Sequence, residues 1–423
     1  MGQEFLANIR RQFIFVDDPF ANQFFTDLGN YLTKFVKTKH FPFHFYIIKS
    51  NTLNAFAAPG GHIFFYSGLI DKMDTIDMLA GVLAHEIGHT SARHLAQRIE
   101  QSKKIGLATL AGVLAGVLIG GDVAGALVTG STAAGMQAQL HYSRKDERQA
   151  DQLGFKYSTS AGFDSSGLTK ALNKIEQGHL GGSNVPPYLL THPTGPVRAA
   201  RLDAMVSNFV PGPPKKEVAQ LSALFLSFKT VLKAICLDPY YAEKIFNAEL
   251  KKTPNAFLPN FGLGIVYMNQ SEFALAIQHF KDALKVKPEF SPALIYLGKT
   301  YHMNGQDREA VSLLTKALDL NRADKSTLFL LGLSYENLAQ YEKAIRIFKR
   351  LAFFKPVKNE VYYHLGISYG RLNRLALAHY NLGIYSKKLG KIQDAKFHFQ
   401  KANDLSHDNP TLRRKIREAM EGK

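Results

Sequence analysis

Four Leu-Gly pairs spaced 34 residues apart constrain this 423-residue chain more than any other feature: Leu263-Gly264, Leu297-Gly298, Leu331-Gly332 and Leu365-Gly366. Each glycine is followed three positions on by a tyrosine (Tyr267, Tyr301, Tyr335, Tyr369) and twelve positions on by an alanine (Ala276, Ala310, Ala344, Ala378). Small residues recurring at fixed offsets mark two helices packed too closely for larger side chains, and a 34-residue period is that of the tetratricopeptide repeat. Pro288 and Pro356 close two of the units. A weaker copy precedes them, with Ala242, Phe246 and Pro254 in phase but Thr230 at the glycine position. Leu382-Gly383 follows after only half a period, with Ala395, Phe399 and Ala402 in phase, so the array is expected to end on a helix shared by two units. Four to six units exceed the roughly three that such an array needs to bury a continuous core.

Upstream stands His85-Glu86-Ile87-Gly88-His89, inside an apolar run that begins at Met78. On a helix, positions i and i+4 share a face, so both imidazoles can reach one metal ion with Glu86 beside it, the arrangement of a hydrolytic zinc site. A helical histidine pair is also found as a plain core or solvated pair, and the motif alone does not separate the two. Hydrolytic zinc takes three protein ligands and keeps a fourth position open. The third is not supplied by a Gly and a His three and six residues past the motif, where Ala92 and Leu95 stand. It must come from a second helix. Ser143 to Asp151 offers one: Glu147 and Asp151 share a face, so Glu147 is expected to bind Zn2+ and Asp151 to hydrogen-bond a ligand imidazole and fix its tautomer. A solvated charged helix would show the same spacing.

Four blocks in this order, NAFAAPGGHIFF (Asn54 to Phe65), LAHEIGHTSARH (Leu83 to His94), SRKDERQAD (Ser143 to Asp151) and THPTGPVR (Thr191 to Arg198), resemble those of the HtpX/BepA-like zinc metallopeptidases, relatives of the CAAX prenyl protease. The resemblance covers the first half of the chain, and the periplasmic BepA-like branch of that family also carries C-terminal tetratricopeptide repeats. It implies a zinc endopeptidase with His85, His89 and Glu147 as ligands, Glu86 as the base and Asp151 behind them. His192 and Arg198 lie in the last block, the candidate source of a donor to the tetrahedral oxyanion. His192 either donates there or fills the open zinc position and holds the enzyme latent; a loop histidine with neither role is the plain alternative. The strand His62-Ile63-Phe64-Phe65, after the turn at Pro59, is a candidate edge onto which an unfolded substrate adds as an extra strand. The implied business is quality control of envelope proteins, cleaving misfolded or stalled chains, with the repeats recruiting substrate or outer-membrane assembly machinery. The rival is a chaperone or assembly factor in which the repeats do the main work and the peptidase is mostly latent. The start, Met1-Gly2-Gln3-Glu4, has no basic stretch followed by an apolar one, so the expected periplasmic location rests on resemblance.

The expected fold class is therefore α+β, mainly α: a zincin-like metallopeptidase domain over residues 1–210, a Pro-rich linker over 211–222, an all-α solenoid over 223–410 and a charged tail over 411–423. The linker signal is Pro211-Gly212-Pro213-Pro214, which cannot continue a helix. A single cysteine, Cys236, excludes an intramolecular disulfide. Net charge is +17, and it is unevenly placed: residues 1–210 hold 19 Lys/Arg against 16 Asp/Glu, and residues 211–423 hold 33 against 19. A positive solenoid favours anionic surfaces, acidic protein segments or membrane headgroups, although a solvated helical surface rich in lysine reads the same way. No nucleic-acid recognition motif accompanies it. The apolar, Gly-rich segment from Ile105 to Gly130 is broken at Gly120-Gly121-Asp122 into pieces shorter than the ~20 residues of a spanning helix. It is expected to form a helical hairpin, packed as core or covering the active-site cleft with peripheral membrane contact. No other long apolar run stands out.

Overall fold

The computed structural model describes residues 2–101, 142–177 and 185–421. The segment from Ile105 to Gly130 lies outside them. The chain divides into two compact units, Met1–Ala242 and Glu243–Lys423.

The first unit opens with helix α1 (Gly2–Gln12) and helix α2 (Pro19–Thr33), the latter capped by Asp18, whose carboxylate accepts from Ala21 N. Three strands follow, β1 (His44–Ile48), β2 (Ala55–Ala58) and β3 (His62–Tyr66), in the order β1-β3-β2. β3 runs antiparallel to β2 and parallel to β1, so it is the central strand. This corrects the expectation that His62, Ile63, Phe64 and Phe65 form an edge. All five residues of β3 are buried, as befits a strand covered on both faces. Phe64 and Tyr66 pack with Phe5 and Ile9 of α1, while Phe65 meets Phe25 of α2 edge-on at 5.2 Å. Among the described residues β1 and β2 are the two edges, β1 being covered at one end by the Phe15–Ile48 bridge.

Helix α3 (Ser67–Lys72) leads into α4 (Ile76–Ser91), capped by Thr75 through Met78 N. From Met78 to Thr90 every α4 residue is buried, the mark of a central core helix. Then come α5 (His94–Gln101), α6 (Arg144–Ser160), α7 (Gly167–Gln177), α8 (Pro187–Thr191) and α9 (Pro196–Ser207). A capping box of Ser143 and Asp146 starts α6. Its contact with α4 is very close, because a Cβ on Gly154 would lie 2.8 Å from His85 Cα and one on Gly88 would lie 2.8 Å from Ala150 O. Only hydrogen fits at these two positions.

Helix α10 (Lys216–Cys236) follows the Pro-rich stretch, yet it belongs to the first unit. Phe228 stacks on Phe24 of α2 at 4.3 Å, and Lys229 Nζ donates to Met73 O at 2.6 Å. The expected solenoid start at residue 223 therefore falls inside a helix of the first unit, and the division comes within the next helix, Pro239–Lys252, after Ala242. By length and composition α10 could cross a membrane, an apolar run that the sequence reading passed over; Phe225, Phe228, Val231 and Leu232 are buried within the unit.

The second unit is a stack of antiparallel helix pairs. The repeat glycines receive a neighbour's side chain: Gly264 meets the Phe280 ring, Gly298 meets Leu314, Gly332 meets the Phe348 ring and Gly366 meets Leu382. Helix Leu375–Lys388 carries both Leu382, which faces Gly366, and Gly383, which faces Phe399, so it is shared between two units. The expected charged tail is instead a helix, Pro410–Glu421, whose Leu412 and Ile416 are buried against Ala395, Phe399 and Ala402. Its charges line the outer face of an amphipathic helix.

Candidate metal centre

Helix α4 presents His85 and His89 on one face, and the glycine contact with α6 brings Glu147 to them. The third approach is the end of α8, where His192 serves as C-cap and its backbone N–H bonds Tyr188 O. Ligand-type atoms of His85, His89, Glu147 and His192 lie within 4.8 Å of one another, and all four residues are buried. His85 Nε2 is 3.0 Å from His89 Nε2 and 3.3 Å from His192 Nδ1; Glu147 Oε1 is 3.2 Å from His89 Nε2 and 3.0 Å from His192 Nδ1. Donor atoms at about 2.0–2.1 Å from a tetrahedral ion stand about 3.3 Å apart, so these spacings fit the edges of a coordination shell. Two facing Nε2 atoms can share at most one proton, and a cation between them settles the conflict. The donor set of imidazole nitrogens and one carboxylate suits zinc or a related divalent ion.

Each ring is set from behind. Asp151 Oδ1 is 3.1 Å from His85 Nδ1 and fixes that proton there, which leaves Nε2 free to bind. His89 Nδ1 is 3.0 Å from His94 Nδ1, and His94 Nε2 is 3.1 Å from Gln149 Oε1. For His89 to offer Nε2, its Nδ1–H must donate to His94, whose Nε2–H then donates to Gln149. The chain of tautomers is self-consistent. Sequence reasoning gave His94 no role, because the residue is out of helical phase: α4 ends, Arg93 adopts φ 59°, and the chain turns His94 back toward His89.

Arg198 on α9 binds Asp151 through Nε and Nη2 (3.1 and 2.8 Å), meets Glu147 Oε2 at 2.8 Å, and donates to the carbonyls of His192 and Pro193. Arg201 adds a 2.6 Å bond to Asp151. The Arg198 guanidinium is thus engaged by two carboxylates and two carbonyls. His62, Ile63, Phe64 and Phe65 stand apart from this group, in the sheet core.

Electrostatics follow the packing. Burial opposes the charged form of Glu147, but the surrounding His192, His89 and His85 outweigh it and hold the carboxyl well below its usual range. Burial, reinforced by His85 and His192, keeps His89 well below the usual imidazole value. Burial also opposes the Asp151 charge, yet His85 and Arg198 bring its pKa to about 2. An ionised carboxylate beside a neutral imidazole is the protonation state a metal requires. Both oxygens of Glu86 are buried and lack a hydrogen-bond partner among the described residues; His192 Nε2 stands 3.4 Å from one of them. Tyr188 stacks on the His192 ring at 4.6 Å.

This geometry agrees with the sequence comparison. Residues 22–206 match Peptidase family M48, and residues 326–352 match a tetratricopeptide repeat. The stretch matched to Peptidase family M48 contains all four convergent side chains. The chain is 32% identical over 203 residues to the beta-barrel assembly-enhancing protease of Escherichia coli (strain K12), covering 47% of this chain and 42% of that one. It is 33% identical over 196 residues to the beta-barrel assembly-enhancing protease of Yersinia pestis, covering 46% and 40%. It is 33% identical over 156 residues to the mitochondrial metalloendopeptidase OMA1 of Arabidopsis thaliana, covering 37% and 30%. The matched part spans less than half the length of these curated relatives. Among the described residues the chain is mainly helical, with one small sheet.

Proposed function

We propose that this chain is a zinc endopeptidase of the periplasm that cleaves misfolded or stalled outer-membrane proteins, with the solenoid recruiting substrate or assembly machinery. The carrying observation is the convergence of His85, His89 and Glu147 on one point, with the Glu86 carboxylate, which accepts no hydrogen bond among the described residues, beside it. The names of the two bacterial relatives, both beta-barrel assembly-enhancing proteases, support the substrate class.

A bound zinc ion supplies Lewis acidity and lowers the pKa of water at the site. Glu86 takes the proton from the water that attacks the peptide carbonyl and returns it to the leaving amine. Asp151 and the His94–Gln149 pair hold the ligand imidazoles in the binding tautomer. With β3 central, the edge read as taking an extended substrate is β2, because it packs on α4, the helix of His85 and His89. His192 is read as a fourth ligand, supported by its Nδ1 lying among the other donor atoms, rather than as an oxyanion donor. As a ligand it would take the position that the attacking water needs, so turnover would require the His192–Pro193 segment to withdraw.

Glu86→Gln tests the chemistry: it should abolish cleavage of an unfolded reporter protein, by a factor on the order of 10² to 10⁴, while metal content measured by elemental analysis stays at wild type. His192→Ala should raise cleavage if the residue holds the enzyme latent; a large fall would return it to the oxyanion role. Cells in which Glu86→Gln supports full outer-membrane assembly would favour the chaperone reading.

A further inference from the structure

Antiparallel packing sorts the helix ends of the solenoid onto two rims. One rim collects the turns after the second helix of each unit, at 287–290, 321–324 and 353–358, and then the turn at 389–391 that ends the shared helix. The C-terminal end of the last helix joins it, since Lys387 Nζ donates to Ala419 O. The opposite rim collects the turns at 270–272, 304–306, 338–340, 372–374 and 405–409.

The last two turns of the first rim join exposed apolar tips to clusters of three or four basic residues, whereas on the second rim Leu375, 44% exposed, has only Arg371 and Arg374 beside it, and Arg374 is paired with Glu342. Phe353 is 85% exposed, Ile392 is 64% exposed and Leu389 is 43% exposed. Around Phe353 stand Lys349, Arg350, Lys355 and Lys358, with no acidic residue between Lys343 and Asn359. Around Leu389 and Ile392 stand Lys387, Lys388 and Lys391, with no acidic residue between Leu375 and Gln393. The two earlier turns are balanced by Glu289 and Asp324, so the basic character is local.

A helix dipole favours lysine at any helix C-terminus, but helix C-termini occur on both rims. The first helices of the four units end on the opposite rim, and their last turns hold His302 and Arg371 as the basic residues. That rim also begins helices with Asp307, Glu309 and Glu342. The asymmetry therefore exceeds what helix ends require. Large apolar side chains standing singly on turn tips, each between lysines, match a bilayer interface: the tips enter the headgroup layer while the ammonium groups lie against phosphates. A protein partner would be read instead by a continuous apolar groove with a polar rim.

We propose that the rim built from turns 353–358 and 387–392 is a peripheral contact site for the anionic surface of a lipid bilayer, with Phe353, Leu389 and Ile392 inserted and Lys355, Lys388 and Lys391 against lipid phosphates. The proposal does not depend on the peptidase reading. The test is co-sedimentation of the full chain with vesicles of one-third phosphatidylglycerol in phosphatidylcholine, and with pure phosphatidylcholine vesicles. Binding should occur with the anionic vesicles alone and weaken as salt is raised. The triple variant Lys355→Gln, Lys388→Gln, Lys391→Gln should lower partitioning on the order of a hundredfold, and Phe353→Ser about tenfold. Leu375→Ser, at an exposed residue of the opposite rim, should change nothing. All these positions are exposed, and circular dichroism checks that each variant folds. Absence of binding to anionic vesicles overturns the proposal, as do rim variants that bind like wild type. Capture by polyglutamate without vesicle binding would assign the rim to acidic protein and overturn it equally.

Discussion

Both units of this protein rest on glycines at helix contacts, but the glycines face different neighbours. In the peptidase unit they face backbone: a Cβ on Gly154 would stand 2.8 Å from the N and Cα of His85, and one on Gly88 would stand 2.8 Å from Ala150 O. In the solenoid they face the ends of side chains: Leu314 Cδ2 at 2.9 Å from Gly298, the Phe348 ring at 2.6 Å from Gly332. A side chain can be trimmed or turned, whereas backbone moves only with its helix. The solenoid contact is thus a repairable fit between near neighbours in sequence. The α4–α6 contact fixes where the helices of His85, His89 and Glu147 stand, and nothing local compensates for a change there.

The comparison depends on where the units divide, and the largest expected effect comes from dividing them wrongly. A chain ending at Val210 loses α10 and exposes the pockets that hold Phe225, Phe228, Val231 and Leu232. At about 1.5–3 kcal/mol for each large apolar side chain, that loss rivals the whole stability of a typical domain. Thermal unfolding followed by circular dichroism should show no cooperative transition for this chain and a clear one for a chain ending at Asp238. Equal transitions would restore the boundary that the Pro-rich stretch suggests.

Next in size is Gly154→Ala. The added methyl meets the backbone of His85 and Ala84, so α4 and α6 must separate, at a cost of about 3 kcal/mol, the upper part of the usual range for overpacking. Because His85 itself lies at the contact, zinc affinity should fall together with the melting temperature. A variant that binds zinc like wild type would show that the contact is as forgiving as those of the solenoid.

The two regions were also legible in the sequence to different degrees, for the same reason. Repeat contacts join residues close in the chain, so a 34-residue period reveals them, down to the shared helix marked by Gly383. The pairs His85/His89 and Glu147/Asp151 were legible because one face of a helix imposes four-residue spacing on residues that must converge. What depends on chain crossings was not. Nothing in His62–Tyr66 says that β1 pairs along its far side. The partner of α10 is α2, nearly two hundred residues earlier. Arg198 was recognisable as part of a block, but its grip on Asp151 and Glu147 exists only once α9 is docked. In the last helix a signal was present and overlooked: Leu412 and Ile416, four apart among arginines, are an amphipathic face.

A smaller effect is expected one shell out from the metal. His94→Ala leaves His89 Nδ1 without the acceptor that holds its proton, and such losses behind a ligand typically weaken metal binding about 10- to 100-fold. Chelator competition measures it directly. Gln149→Glu retains an acceptor for His94 and should keep near wild-type affinity, while Gln149→Leu should behave like a milder His94→Ala. If Gln149→Leu binds zinc as wild type does, the tautomer chain from His89 to Gln149 carries no weight.

The smallest effect bears most directly on the contrast between the two kinds of glycine. In the solenoid, Gly298→Ala sets a methyl against Leu314 Cδ2 and Cγ, both at 2.9 Å. Alanine gains helix propensity of about 1 kcal/mol over glycine in a helix interior, which offsets part of an overpacking cost near the lower end of about 1–3 kcal/mol. The net change should be small, and the double variant Gly298→Ala, Leu314→Ala should remove the clash. Leu314 is fully buried, so Leu314→Ala alone opens a cavity and costs about 2–5 kcal/mol. Adding the alanine at 298 to that background should then recover stability, giving a double-mutant coupling of favourable sign. No equivalent repair exists for Gly154, because shortening His85 to alanine leaves the contacting N and Cα where they were. If the solenoid pair shows no coupling, its glycines act through backbone as those at the metal centre do, and the distinction between the two units fails.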